Sequence, residues 1–276
     1  MVNGPERTVV VGVGSAAGDG CVVEAAAQEA VAREARLVVV HVVAPGTGPG
    51  PAVRRRVEAA AAAARAAHPG LDVSLTVTAG DPVEELLAHR CDLLVTGHRS
   101  RTRRRNRRSS VALGVTDRAT VPVLVWPSGA DPGCPGGDGV LVAVDGYGDD
   151  AVLRFAFDEA VARQMPVVAE HVWSAPTDGA RRGPVTPSAD EARELVGAAV
   201  GAGRAGVAVR TVVRRSLDVA IALNATARSA DLAVIGAHRG RGAGGGVRRA
   251  LIQRGACPVA VVPVTGRSSP GSARDA

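Results

Sequence analysis

Hydrophobic residues in this chain fall in short, almost unbroken β-branched runs rather than in alternating ones. Examples are VVVGV after Thr8, LVVVHVV ending at Val43 and VPVLVWP from Val121 to Pro127. Between them lie alanine-rich stretches with helical composition, such as VVEAAAQEAVAREA (Val22 to Ala35) and AVLRFAFDEAVARQ (Ala151 to Gln164). Strands that are apolar on both faces need helices on both faces, so the alternation predicts βαβ units built on a parallel sheet. Sheets of that kind bind ligands at the carboxyl ends of their strands, near the point where the strand order reverses.

The pattern occurs twice. VAREARLVVVHVV (Val31 to Val43) answers VARQMPVVAEHVW (Val161 to Trp173), and CDLLVTGHRS (Cys91 to Ser100) answers ADLAVIGAHRG (Ala230 to Gly240). VPVLVWP answers CPVAVVP (Cys257 to Pro263), and the order is the same in both halves. The expectation is two tandem Rossmann-like domains, each a doubly wound parallel five-stranded sheet with about four helices. They span residues 1–127 and 139–265, with a Gly/Pro/Asp-rich linker at 128–138 and a disordered tail at 266–276.

Composition narrows the chemistry. Of 276 residues, 46% are hydrophobic and 22% charged, as in globular proteins. No apolar run reaches the roughly 18–20 residues that cross a bilayer, and the first residues are polar, so a cytoplasmic protein without a membrane segment is expected. The sequence holds no lysine, which excludes a P-loop lysine, a Schiff-base lysine and the protein-kinase strand lysine. Four dispersed cysteines and six dispersed histidines show neither C-x-x-C nor the i, i+4 spacing of a metal helix, so reduced thiols, structural histidines and no metal are expected.

Two glycine patterns invite a phosphate reading. Gly12, Gly14 and Ala17 match G-x-G-x-x-A, but the next strand ends in His41, Val42 and Val43 rather than the acidic residue that holds a dinucleotide ribose. In the second half AHRGRGAGGG (Ala237 to Gly246) precedes a helical VRRALIQRG. If the helix starts there, the N–H groups of Gly246 and Val247 favour an anion.

With these segments in place, both halves resemble the universal stress protein family, whose marks are VAVDGY-type first strands, an HV pair closing the second strand, ADLxVxG and CPV. The resemblance implies an adenine nucleotide alpha hydrolase-like fold and a stress-response regulator that binds ATP or a related adenine nucleotide. It also implies a pseudo-dimer within the chain through the last strands of the halves, Val121 to Trp126 and Pro258 to Val262, whose apolar edges need cover, with a homodimer of whole chains as a further form. In nucleotide-binding members the signature is G-x2-G-x9-G-[ST], with an Asp and a Val closing the first two strands. Carried over, it assigns the second-half site to Asp145, Val172, Gly236, Arg239, Gly240, Gly245, Gly246 and Val247. Arg239 stands where the second glycine belongs, the spacing is shorter than the family's, and Gly246 replaces the hydroxyl. The first half departs further, with Gly14 at the place of the Asp and Ser100 at the second glycine, although Gly97 and Ser110 persist. It is therefore expected to be a degenerate, structural partner.

The run Arg99 to Arg108 holds seven arginines, which more than account for the formal charge of +6. It reads as a solvated loop. The alternative function is polyanion or nucleic-acid binding through it, although the aromatic platforms of single-strand binders are missing. Asp81 with Glu84 and Asp149 with Asp150 read as helix-start residues, and no nucleophile elbow occurs. No catalytic residue is assigned, and the chain is expected to be a non-enzyme, with weak ATP hydrolysis at most.

Overall fold

The computed structural model describes residues 7–14, 19–46, 48, 50–98, 110–127, 137–145, 150–173, 189–201, 206–237 and 243–264. In the first half the order is β1 (Thr8–Val13), α1 (Asp19–Ala32), β2 (Arg36–Val43), α2 (Pro51–Ala67), β3 (Val73–Ala79), α3 (Pro82–Ala88), β4 (Leu93–His98), α4 (Val111–Arg118) and β5 (Val123–Pro127). The second half repeats it as β6 (Val140–Ala143), α5 (Asp150–Arg163), β7 (Val167–Trp173), α6 (Ala189–Val200), β8 (Val209–Arg215), α7 (Val219–Ala227), β9 (Leu232–Ala237), α8 (Ala243–Arg254) and β10 (Val259–Pro263). All ten strands form one sheet, ordered β3-β2-β1-β4-β5-β10-β9-β6-β7-β8. Pairing is parallel within each half, and the order reverses between β1 and β4 and between β6 and β9.

The halves join where β5 meets β10 antiparallel, with Val123 opposite Val261, Leu124 opposite Ala260 and Val125 opposite Val259. These are the strands whose apolar edges demanded cover, and the junction turns two five-stranded sheets into one. Two buried clusters fill the layers. One lies under α1, α2, α5 and α6, the other under α3, α4, α7 and α8, which explains why the central strands are apolar on both faces.

The equivalence of the halves reaches individual bonds. Asp92 accepts from the Thr8 amide at 2.8 Å, and Asp231 accepts from the amides of Gly137 and Gly139, both at 3.1 Å. The aspartate that opens the fourth strand thus ties down the start of the first, which is what the repeated C/A-D-L segment is for. α1 and α5 both end on a left-handed residue that is not glycine, Glu34 at φ 51° and Gln164 at φ 55°. In each the amide one residue on reaches back to the helix, Ala35 to Ala30 and Met165 to Ala160, which closes the last turn.

Between α1 and α5 the symmetry produces a four-membered charge cluster. Arg33, just past the end of α1, bonds Glu29 of that helix and Glu159 across the junction. Arg163 bonds Glu159 at 3.1 Å and reaches across to Glu29. Both carboxylates are almost fully buried, so each survives only because two guanidiniums meet it. Burial together with the facing Glu159 pushes the Glu29 carboxyl up, and the two arginines oppose that shift. Arg33 also lies 5.7 Å from the centre of the Phe155 ring.

Glu170 is a different case. Its side chain has no solvent exposure, at a position where the first half carries Val40. Arg214 Nε lies 3.2 Å from Oε1 as an ion pair, and burial pushes the carboxyl up against the opposing pull of Thr226, Arg214 and Arg210. A carboxyl whose folded value is raised loses stability as pH rises from the ordinary carboxylate range through that value. Glu170→Leu is therefore expected to be about 1 kcal/mol more stable at pH 7, since Arg214 stays half in water and is not stranded. Urea titrations should show the advantage shrinking as pH falls through the raised value.

Candidate nucleotide site

The carboxyl edge of the second half collects the residues that the sequence assigns. Register places Ala143 beside Glu170 and Val142 beside Val234. Continued upward, it brings Asp145, just beyond β6, level with Val172 on β7, and Gly236 on β9 one step below. Asp145 is exposed, while Val172 and Gly236 are half-buried. The edge is where β6 and β9 part company, the position at which doubly wound sheets leave a crevice.

A histidine sets the end of the first strand in each half. The Val144 carbonyl can only accept, so His171 Nδ1 donates to it at 2.7 Å; His41 does the same to Val13 at 3.0 Å. That leaves His171 Nε2 buried without a hydrogen-bond partner. In the HV pair the histidine thus fixes the backbone that leads to Asp145, while the valine packs half-buried against the core on the α7/α8 side of the sheet.

The helix that should close the site begins earlier than the sequence suggests. α8 starts at Ala243, so the first-turn amides without an intrahelical carbonyl are those of Ala243, Gly244 and Gly245. The Gly246 and Val247 amides, which were expected to be free, belong to the helix ladder. A run of three glycines reads as loop by propensity, yet here it is helical. A Cβ added at Gly245 or Gly246 meets nothing within 4 Å. Gly246→Ala should accordingly raise stability by about 0.5–1 kcal/mol in thermal melts. Arg239 and Gly240, the remaining assigned residues, lie outside the described residues, as do Asp149, His238 and the whole run Arg99 to Arg108.

In the first half the corresponding edge holds Gly14, Val42, Gly97 and Ser110. Ser110 is the N-cap of α4, but its hydroxyl does not cap and lies 3.4 Å from His98 Nδ1. Burial pulls the His98 imidazole down, towards its neutral form. Gly12 proves to be a packing residue, because a Cβ there would sit 2.7 Å from Leu86 on α3. Sequence reasoning missed an open cavity of about 370 Å³ at the ends of β2 and β3, lined by Val42, Val43, Ala44, Pro45, Gly80, Asp81 and Pro82. Among the described residues its one charged wall is Asp81, which caps α3 by accepting from the amides of Val83 and Glu84.

Among the described residues no group of His, Cys, Asp and Glu is arranged to hold a metal. Burial raises the thiols of Cys91 to about 11 and Cys257 to about 12, so both stay protonated. No helix among the described residues is long and apolar enough to cross a membrane.

A doubly wound α/β half, repeated and joined edge to edge into one ten-stranded sheet, is the class that the fold defines. The universal stress protein family model matches residues 6–127 and again 138–263, and the chain belongs to that family. Universal stress proteins Rv3134c and MT3220 of Mycobacterium tuberculosis are each 31% identical over 186 residues, 63% of this chain and 69% of theirs. The solved universal stress protein of Archaeoglobus fulgidus DSM 4304 shares the fold with a TM-score of 0.67 at 18% identity, over 95% of this chain and 98% of that one. A putative universal stress protein of Pseudomonas aeruginosa UCBPP-PA14 gives 0.66 at 18% identity, over 94% of each chain.

Proposed function

We propose that the chain is a tandem universal stress protein that acts as a nucleotide-responsive regulator and takes ATP or a related adenine nucleotide in its second half. The observation that carries this reading is the meeting of Asp145, Val172 and Gly236 at one strand-order reversal, beside a helix whose first turn is glycine. Asp145 is placed to accept from ribose hydroxyls, and Val172 offers an apolar wall to the base. The Ala243 to Gly245 amides point the positive end of α8 at a phosphate. Gly14 in the first half offers no such carboxylate, so that half serves as the structural partner.

Isothermal titration with ATP and AMP tests the reading. A carboxylate at position 245 finds open space, so Gly245→Asp is expected to fold at least as well as the parent. The same charge faces the phosphate, and affinity should fall tenfold or more, about 1.4 kcal/mol per decade. Equal affinity in parent and variant overturns the assignment of the phosphate to α8.

A further inference from the structure

The junction between the halves contains two kinds of contact, and they differ in what they can tell apart. Glu29 on α1 and Arg33, one residue past its end, are equivalent in the repeat to Glu159 and Arg163 of α5. The charge cluster is therefore self-complementary. A first half facing another first half, or a second half facing another second half, could complete it equally well. It holds halves together without choosing between them.

Two other contacts do choose. β5 and β10 cross at Leu124 and Ala260, which are equivalent residues of the two halves and lie directly opposite each other. Both are buried in the same layer, one large and one small. Two first halves would set leucine on leucine and overfill the layer. Two second halves would set alanine on alanine and leave a hole. On the other face Arg248 of α8 pairs with Asp117 of α4. The helices and strands align without a gap from Val111/Val247 to Pro127/Pro263, so the residue equivalent to Arg248 is Ala112 and the one equivalent to Asp117 is Gln253. The Arg248 side chain is 13% exposed, and burial lowers its basicity. In a pair of second halves that guanidinium would face an uncharged glutamine, and in a pair of first halves Asp117 would face alanine.

We infer that the junction is coded for unlike halves: Leu124 with Ala260 and Asp117 with Arg248 make a first half select a second half, on its own chain or on a second copy, over a half of its own kind. The self-complementary cluster supplies adhesion, and these two asymmetric contacts penalise the like pairings.

Both like junctions can be built inside one full-length chain, which removes the bias that the tether imposes. Ala112→Arg with Asp117→Gln and Leu124→Ala gives the first half the second half's face. Arg248→Ala with Gln253→Asp and Ala260→Leu gives the second half the first half's face. Each three-site chain is expected to melt at least roughly 5 °C below the parent. All six substitutions together exchange the faces, restore an unlike junction and should recover most of that loss. Like-faced chains that melt with the parent overturn the inference. So does a six-site chain as weak as the three-site chains, because the losses would then be local packing rather than pairing.

Discussion

Glu159→Ala is expected to cost about 3–5 kcal/mol, one of the two largest single-residue effects in the molecule. The carboxylate is 3% exposed and bridges Arg33 from the first half and Arg163 from its own helix. Its removal leaves two guanidiniums, each about one fifth exposed, facing Glu29 alone. The net charge of the buried cluster changes from zero to +1, and that charge has little water to screen it. An exposed pair supplies the contrast. Arg118 and Glu84 meet at 2.8 Å in solvent, and breaking them should barely move the melting curve. Because the cluster lies between the halves, denaturant unfolding of Glu159→Ala should also show reduced cooperativity between them.

Gly139→Ala is the second, with an expected loss of about 3 kcal/mol or more. Gly139 opens β6 at φ +110°, a conformation that L side chains rarely adopt, and a Cβ there would lie 2.3 Å from the Pro166 carbonyl oxygen. Neither neighbour can yield cheaply. The Val140 amide bonds that same carbonyl at 2.9 Å, and the Gly139 amide is held by Asp231. Alanine must therefore break the tie that starts the first strand of the second half. Gly246→Ala, with open space and a helical backbone, carries the opposite sign, so thermal melts of the two variants separate conformational need from mere composition.

Much of the fold could be read from the residues because its signal is local. VVVGV, LVVVHVV and CPVAVVP are apolar without alternation, and that alone implies helices on both faces. The edge pairing of β5 with β10 came from the family resemblance, and the need to cover two apolar strands agrees with it. The charge cluster was hidden for the opposite reason. Glu29–Arg33 and Glu159–Arg163 are i, i+4 pairs that nothing in the sequence marks as buried, and only the antiparallel junction brings the two segments together to bury them. The start of α8 was misplaced because glycine propensity argues for loop, whereas α8 is set by its packing on the sheet and α7. The first-half cavity was missed because its walls come from the ends of two strands and the elbow before α3, distant in sequence and individually unremarkable. At the site, Asp145, Val172 and Gly236 were recognisable from their neighbours in the strands. Which amides of α8 lie free at its start needed the true helix start.

The central claim, a nucleotide in the second half and none in the first, is most directly tested by photocrosslinking the full-length protein with an azido-adenine nucleotide and mapping the labelled peptides by mass spectrometry. The account predicts label on peptides around Val172 and Asp145, competed by ATP and lost in Gly245→Asp. Label concentrated on the Val42 to Pro45 wall of the first-half cavity, and unaffected by Gly245→Asp, would contradict it.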